Sequence, residues 1–173
     1  MGEQGRQDRQ DGQREITTAK EAADNDLVLA FGRLQGAANR LEYILGRQIE
    51  EECGISHLMY EVLLILGRAG DPGLSMRAIS QEQVLTTGGV TRLVDRMQAA
   101  GLVQRVTDPA DGRGRLVRLT PLGEETAVRA SRLHVKNIQR YFLEPLPPSH
   151  RERFAEDLRI LSHSARASLP LLP

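Results

Sequence analysis

Between residues 75 and 120 the chain changes its hydrophobic period in an order that few folds accept. Val90, Leu93, Val94 and Met97 recur at spacings of three and four, the stripe of an amphipathic helix from about Thr87 to Ala100, with Gly101 as its stop. Ahead of it, Ser75 is placed to N-cap a short helix, Met76 to about Gln81, whose Met76 and Ile79 lie one turn apart on the inner side. Behind it come two short alternating runs, residues 102–107 and 115–119, with apolar contacts from Val103, Val106, Leu116, Val117 and Leu119. They flank DPADGRG, residues 108–114, a loop dense in turn formers. Helix, turn, helix and hairpin in this order predict a winged helix.

Helical patterns flank this segment. Leu27, Leu29, Ala30, Leu34, Ala37, Leu41, Ile44 and Leu45 predict a first helix of up to seven turns, ending near Gly46 or a little beyond, with Gly54 as a break. Leu58 to Leu66 predict a second, apolar on most sides and hence deeply buried. GRAGDPG, residues 67–73, follows a helix rather than a strand, so it is a turn and not a phosphate loop. Thr120-Pro121 opens a helix expected to continue to Phe142, EPLPPS at 144–149 breaks it, and Ser149 with Glu152 has the spacing of a capping box for a last helix. Residues 1–20, rich in Gln, Arg, Asp, Glu and Gly, are expected to form a disordered arm. The chain should therefore be mainly α with a small β-hairpin wing. Residues 21–173 would form one domain, with dimerisation helices at 21–54 and 121–173 around a winged helix-turn-helix at 55–120.

Composition narrows the function. Hydrophobic residues make up 40% of the 173, aromatics only 3%, and Trp is absent, so the core must come from aliphatic side chains, a mix suited to helix-on-helix packing. One cysteine, Cys53, permits no intrachain disulfide, and no apolar run reaches the ~18 residues of a membrane span. A cytoplasmic protein is expected. The 23 basic residues cancel the 23 acidic ones overall, but residues 75–120 hold seven arginines against four acids. Arginine donates in a planar fork suited to guanine edges and phosphate oxygens. With the apolar stripe inward, Thr87, Gly88, Thr91 and Arg92 are left outward at a helix N-terminus, where backbone N–H groups favour phosphate. Gly88 and Gly89 each disfavour a helix interior by about 1 kcal/mol relative to Ala, which suggests a surface that something approaches closely. A solvated helix face that happens to contain glycine is the competing explanation. At the hairpin tip, Arg113 and Arg115 can reach a minor groove. Asp111 is placed either to orient the Arg113 guanidinium or to serve ordinary turn chemistry.

The runs YEVLLIL at 60–66, TTGGVTRLVDRMQAAGLVQR at 86–105 and DPADGRGRLVRLTPLG at 108–123 resemble the MarR family of bacterial transcriptional regulators, over roughly residues 27–165. The resemblance implies a homodimer that binds a pseudo-palindromic double-stranded DNA site, expected to act as a repressor. It implies DNA contacts from Ser75, Arg77, Thr86, Thr87, Gly88, Gly89, Thr91, Arg92, Arg96, Asp111, Arg113 and Arg115, with Arg92 and its neighbours in the major groove and Arg113 as the wing arginine. Gln83 and Val84 depart from the family's apolar residue and Gly in the turn before the recognition helix, and Ser80 stands where Ala is common.

Members of the family often release DNA on binding a small anionic or phenolic ligand. Arg40, Tyr43, His57 and Tyr60 are the candidate lining groups, and a core, interface or surface role for each competes with that one. Cys53 follows Glu50, Glu51 and Glu52, whose charge disfavours the reactive thiolate, and the four histidines lack metal-site spacing, so neither redox nor zinc sensing is expected. No cofactor is called for, and no nucleophile elbow, phosphate loop or metal triad suggests an enzyme. A winged-helix protein–protein adaptor remains the alternative, though an adaptor has no need to concentrate arginines on one face.

Overall fold

The computed structural model describes residues 15–83 and 86–168, with the backbone alone of Thr87. The chain divides into two units, residues 1–40 and 41–173.

In the first unit, α1 (Ala19–Ala23) starts within the expected arm. The Thr18 hydroxyl accepts from the Glu21 N–H, and the Glu21 carboxylate accepts in return from the Thr18 N–H at 3.2 Å, a capping box that also takes the Thr17 N–H and hydroxyl. The T-x-x-E spacing was the signal, hidden by the polar composition around it. Residues 1–14 of the expected arm lie outside the described residues. Helix α2 (Asp26–Cys53) begins here under a cap from Asn25, whose Oδ1 accepts from the N–H groups of Leu27 and Val28.

In the second unit, α2 runs past Gly46 and stops only at Gly54, whose φ of +71° suits glycine. Helix α3 (His57–Ala69) is capped by Ser56 and buries Tyr60, Val62, Leu63 and Leu66, while Leu64 stays partly open. Next come β1 (Leu74–Ser75), α4 (Met76–Gln83), α5 (Thr87–Ala99), β2 (Val103–Thr107) and β3 (Arg115–Leu119). The antiparallel sheet has the order β1-β3-β2, with Val106 opposite Leu116 and Leu74 opposite Val117. The two-residue β1 is too short to show a period, so it adds a strand to the predicted hairpin. Gly73, at φ +106°, makes it possible: a Cβ there would lie 2.3 Å from the Val117 carbonyl oxygen.

Helix α6 (Pro121–Ile138) is capped by Thr120, as expected, but gives way to a π-helical turn at Gln139–Leu143 rather than continuing unchanged to Phe142. The last helix, α7 (Pro148–Ser168), opens one residue before Ser149, so that residue sits in the first turn and not at the predicted cap. Phe142 and Phe154, with ring centroids 5.8 Å apart, pack the π turn against α7. The core joins α2, α3, α4, α5, the sheet and α6 through Ile49, Leu63, Ile79, Leu93, Met97, Val117 and Ala130. The α5 stripe Val90, Leu93, Val94 and Met97 is fully buried, so the opposite face of α5 is fixed outward by packing.

Candidate nucleic-acid interface and ligand cavity

Thr86 caps α5, its hydroxyl accepting the Gly89 N–H at 3.3 Å, and this leaves other first-turn N–H groups facing outward. Gly88 and Gly89 are exposed. A Cβ at Gly88 would meet nothing within 4 Å, so nothing within the chain requires glycine there. Thr91 and Arg92 are exposed beside them, and Arg96 lies one turn on. Ser75 caps α4, accepting the Ala78 N–H at 3.2 Å, and Arg77 is exposed in that first turn. The expected departure at Val84 lies outside the described residues.

The seven arginines of this segment divide into two groups. Arg105 donates to Asp95 Oδ1 at 2.6 Å and to Gln98 Oε1 at 2.8 Å, tying β2 to α5. Arg115 donates to the Thr107 hydroxyl at 2.9 Å, and Arg118 pairs with Asp71 at 3.6 Å. Among the described residues the guanidiniums of Arg77, Arg92, Arg96 and Arg113 have no hydrogen-bond or ion-pair partner. They are exposed, charged and unspent.

The wing tip holds itself closed. The Asp108 N–H donates to the Gly114 carbonyl at 3.0 Å and the Gly114 N–H to the Asp111 carbonyl at 2.8 Å. Asp108 Oδ1 accepts from the Ala110 N–H, and Asp111 Oδ1 from the backbone N–H of Arg113 at 3.1 Å. Asp111 thus serves turn chemistry: it sets the backbone that carries Arg113 and leaves the guanidinium alone.

A groove of about 860 Å³ opens between α3, β3 and α6. Leu63, Leu64, Leu119, Ala127, Val128 and Val135 make it apolar, while Arg68, Arg132 and Lys136 outnumber Glu124 among its charged groups. Beside it, His57, Tyr60 and His134 form a three-ring cluster, with centroids 6.2 Å (His57–Tyr60), 5.4 Å (His57–His134) and 5.0 Å (Tyr60–His134) apart. The Tyr60 hydroxyl lies 3.1 Å from that of Ser131, which lines the groove. Burial and the charge of His57 hold His134 below the usual imidazole range. Of the four expected lining groups, His57 and Tyr60 come together. Tyr43 is 71% exposed and makes no contact in this cluster. Arg40 belongs to the first unit, where its guanidinium lies back over Gly36. His134 and Ser131 were missed. The signal for His134 was its place on the inward stripe Ala127, Ala130, His134, where an apolar residue would be ordinary.

Among the described residues no three His, Cys, Asp or Glu side chains gather as a metal site, and no described helix is long and apolar enough to cross a membrane.

With this geometry the fold is that of a winged helix-turn-helix set among longer helices, and comparison with known proteins agrees. The MarR family profile matches residues 54–114. The transcriptional regulator HosA of Escherichia coli O111:H- is 33% identical over 91 residues, 53% of this chain and 67% of its own. Across four curated relatives, the match spans between 43% and 67% of the relative's length. Sco3205 of Streptomyces coelicolor, a MarR family transcriptional regulator solved in complex with DNA, superposes with a TM-score of 0.71 at 26% identity, over 88% of this chain and 92% of that one. PcaV of the same organism, solved with its natural ligand, gives 0.62 at 29% identity, over 86% and 99%. The chain belongs to the MarR family.

Proposed function

We propose that this MarR family member is a sequence-specific DNA-binding transcriptional repressor, acting in the cytoplasm as a homodimer on a pseudo-palindromic operator. The observation that carries this reading is the sorting of the arginines. Those that brace the fold are paired, whereas Arg77, Arg92, Arg96 and Arg113 are free on the α4 first turn, the outward face of α5 and the wing tip. Unpaired guanidiniums next to exposed helix N–H groups suit phosphates and base edges. The DNA complex of Sco3205 supports the same use of the fold. Homodimerisation is supported within each unit by apolar side chains left in water: Leu27 and Phe31 in the first, Ile160 and Leu161 in the second. Two recognition helices related by a dyad would sit about one DNA turn, ~34 Å, or a multiple of it apart.

Release of DNA by a small anionic or phenolic ligand completes the proposal. The groove beside His57, Tyr60 and Ser131 supports it, as do PcaV with its natural ligand and CouR of Rhodococcus jostii with p-coumaroyl-CoA. The deciding experiment titrates purified protein against the DNA upstream of its own gene and a scrambled duplex across a salt series. Preference for the upstream DNA, with affinity falling steeply as salt rises, is the expected result. Equal, weak binding to every genomic fragment in a genome-wide selection would reject it in favour of an adaptor role.

A further inference from the structure

We propose that Arg166, near the end of α7, is a positioning residue: its ion pair with Glu82 ties the last helix to α4 and so sets where α5 stands. This rests on the reading of α4 and α5 as a DNA-binding pair in a homodimer, and adds to it a residue outside the winged segment.

Near its start, α7 is anchored locally. Arg151 donates to the carbonyls of Leu146 and Glu144, and Phe154 packs on Phe142. From residue 159 onward every described residue of the helix is exposed, so packing does little to fix this half. The ion pairs Arg153–Asp157 and Arg159–Glu156 stay within α7 and hold it to nothing else. Arg166 is different. Its guanidinium reaches Glu82, 84 residues back, on the last turn of α4, where Glu82 is the sole acidic residue of that helix. This contact lies about 18 Å along α7 from Phe154. Two anchors so far apart define a direction for the helix, whereas one would let it swing.

The effect passes to α5 through a shared core. Ile79 of α4 is fully buried in one cluster with Val90, Leu93 and Val94 of α5, so a shift of α4 carries α5 with it. Glu82 stands just ahead of the link between α4 and α5. On the same helix as Arg166, about a turn and a half earlier, Ile160 and Leu161 are the exposed apolar side chains that would meet a second copy. The ion pair therefore joins the helix that would build the dimer to the pair that would read DNA. With Glu82 32% and Arg166 72% exposed, it adds little to stability, so what it supplies is direction rather than strength. In a two-fold dimer, a fixed angle between α7 and α4 fixes the separation of the two α5 helices, and with it the half-site spacing that is accepted.

The test is Glu82→Gln in the full chain, because two accounts of that change differ in sign. Removing a negative charge favours DNA through the protein's field alone, whereas loss of positioning disfavours the operator. Binding is measured to a duplex selected from genomic DNA with the wild-type protein, to the same duplex with one base pair inserted or removed at its dyad, and to a scrambled duplex. Expected for Glu82→Gln and for Arg166→Gln is a severalfold loss of affinity for the selected duplex and a smaller penalty for altered spacing than in wild type. Thermal midpoint and sedimentation should match wild type. Glu82→Arg combined with Arg166→Glu rebuilds the pair in reverse at the same net charge, and should recover both the affinity and the spacing penalty. Glu82→Gln binding the selected duplex as tightly as wild type or more tightly, an unchanged spacing penalty, an altered oligomeric state, or a reversed pair that recovers nothing overturns this inference and leaves the DNA-binding reading standing. Wild-type protein that selects no preferred duplex overturns both.

Discussion

Arg105 on β2 reaches across to Asp95 on α5 and closes an ion pair of 2.6 Å that joins the wing to the recognition helix. Arg105 is 28% exposed and Asp95 56%, so the pair contributes little to stability, up to about 1 kcal/mol. Its worth is in alignment. Arg105→Ala or Asp95→Ala should unfold at nearly the wild-type denaturant midpoint yet bind operator severalfold more weakly. A double-mutant cycle on DNA affinity should give a coupling energy larger than the same cycle on stability.

The free arginines should separate by role. Arg92→Ala is expected to lose about 1–3 kcal/mol of operator affinity and to relax preference at the bases it faces, whereas Arg113→Ala should weaken binding at the operator flanks. Footprinting with systematically mutated duplexes distinguishes them. Wild-type binding by both variants would show that the DNA face has been misassigned.

Two glycines should answer oppositely to alanine. At Gly88 a Cβ meets nothing, so Gly88→Ala should leave the fold as stable or raise it by up to about 1 kcal/mol while lowering DNA affinity. At buried Gly123 a Cβ would lie 2.0 Å from the Leu102 carbonyl oxygen, forcing α6 away from the start of β2. Gly123→Ala should therefore cost about 1–3 kcal/mol in a denaturant melt, or more if the backbone cannot shift.

Stability should fall on mild acidification through His134. Burial first, and the charge of His57 second, lower its folded-state titration below the 6.5 of a free imidazole. The unfolded chain then binds the extra proton as pH drops through that value, so the contribution is full above about 6.5 and is lost below it. The thermal midpoint of wild-type protein should decline from about pH 6.5 downward, and His134→Gln should flatten that decline.

Much of this was legible in the sequence because periodicity reports burial directly. Val90, Leu93, Val94 and Met97 gave both the recognition helix and its outward face, and Thr120-Pro121 gave the start of α6. Signals one or two residues long were not legible. β1 is defined by its pairing with β3, and the π turn after Ile138 has no composition of its own. At the proposed DNA face, residue type named the seven arginines but could not say which are paired: Asp95, Gln98, Thr107 and Asp71 come to Arg105, Arg115 and Arg118 through tertiary packing alone. The candidate ligand region was half legible for the same reason, since His134 is 77 residues from His57 in sequence and meets it only when α3 and α6 pack.

The wing tip carries four internal hydrogen bonds in the seven residues from Asp108 to Gly114. A loop already folded in this way gives up little conformational freedom when it meets a surface, and it bends little to follow one. The backbone of Arg113 is thus held at a fixed place, like the pivot of a caliper, and only the rotamers of its own side chain set how far the guanidinium extends. On the proposed reading of the wing as a DNA contact, a groove whose walls lie beyond the span of that one side chain would be passed over by dimension alone, before any base edge was touched.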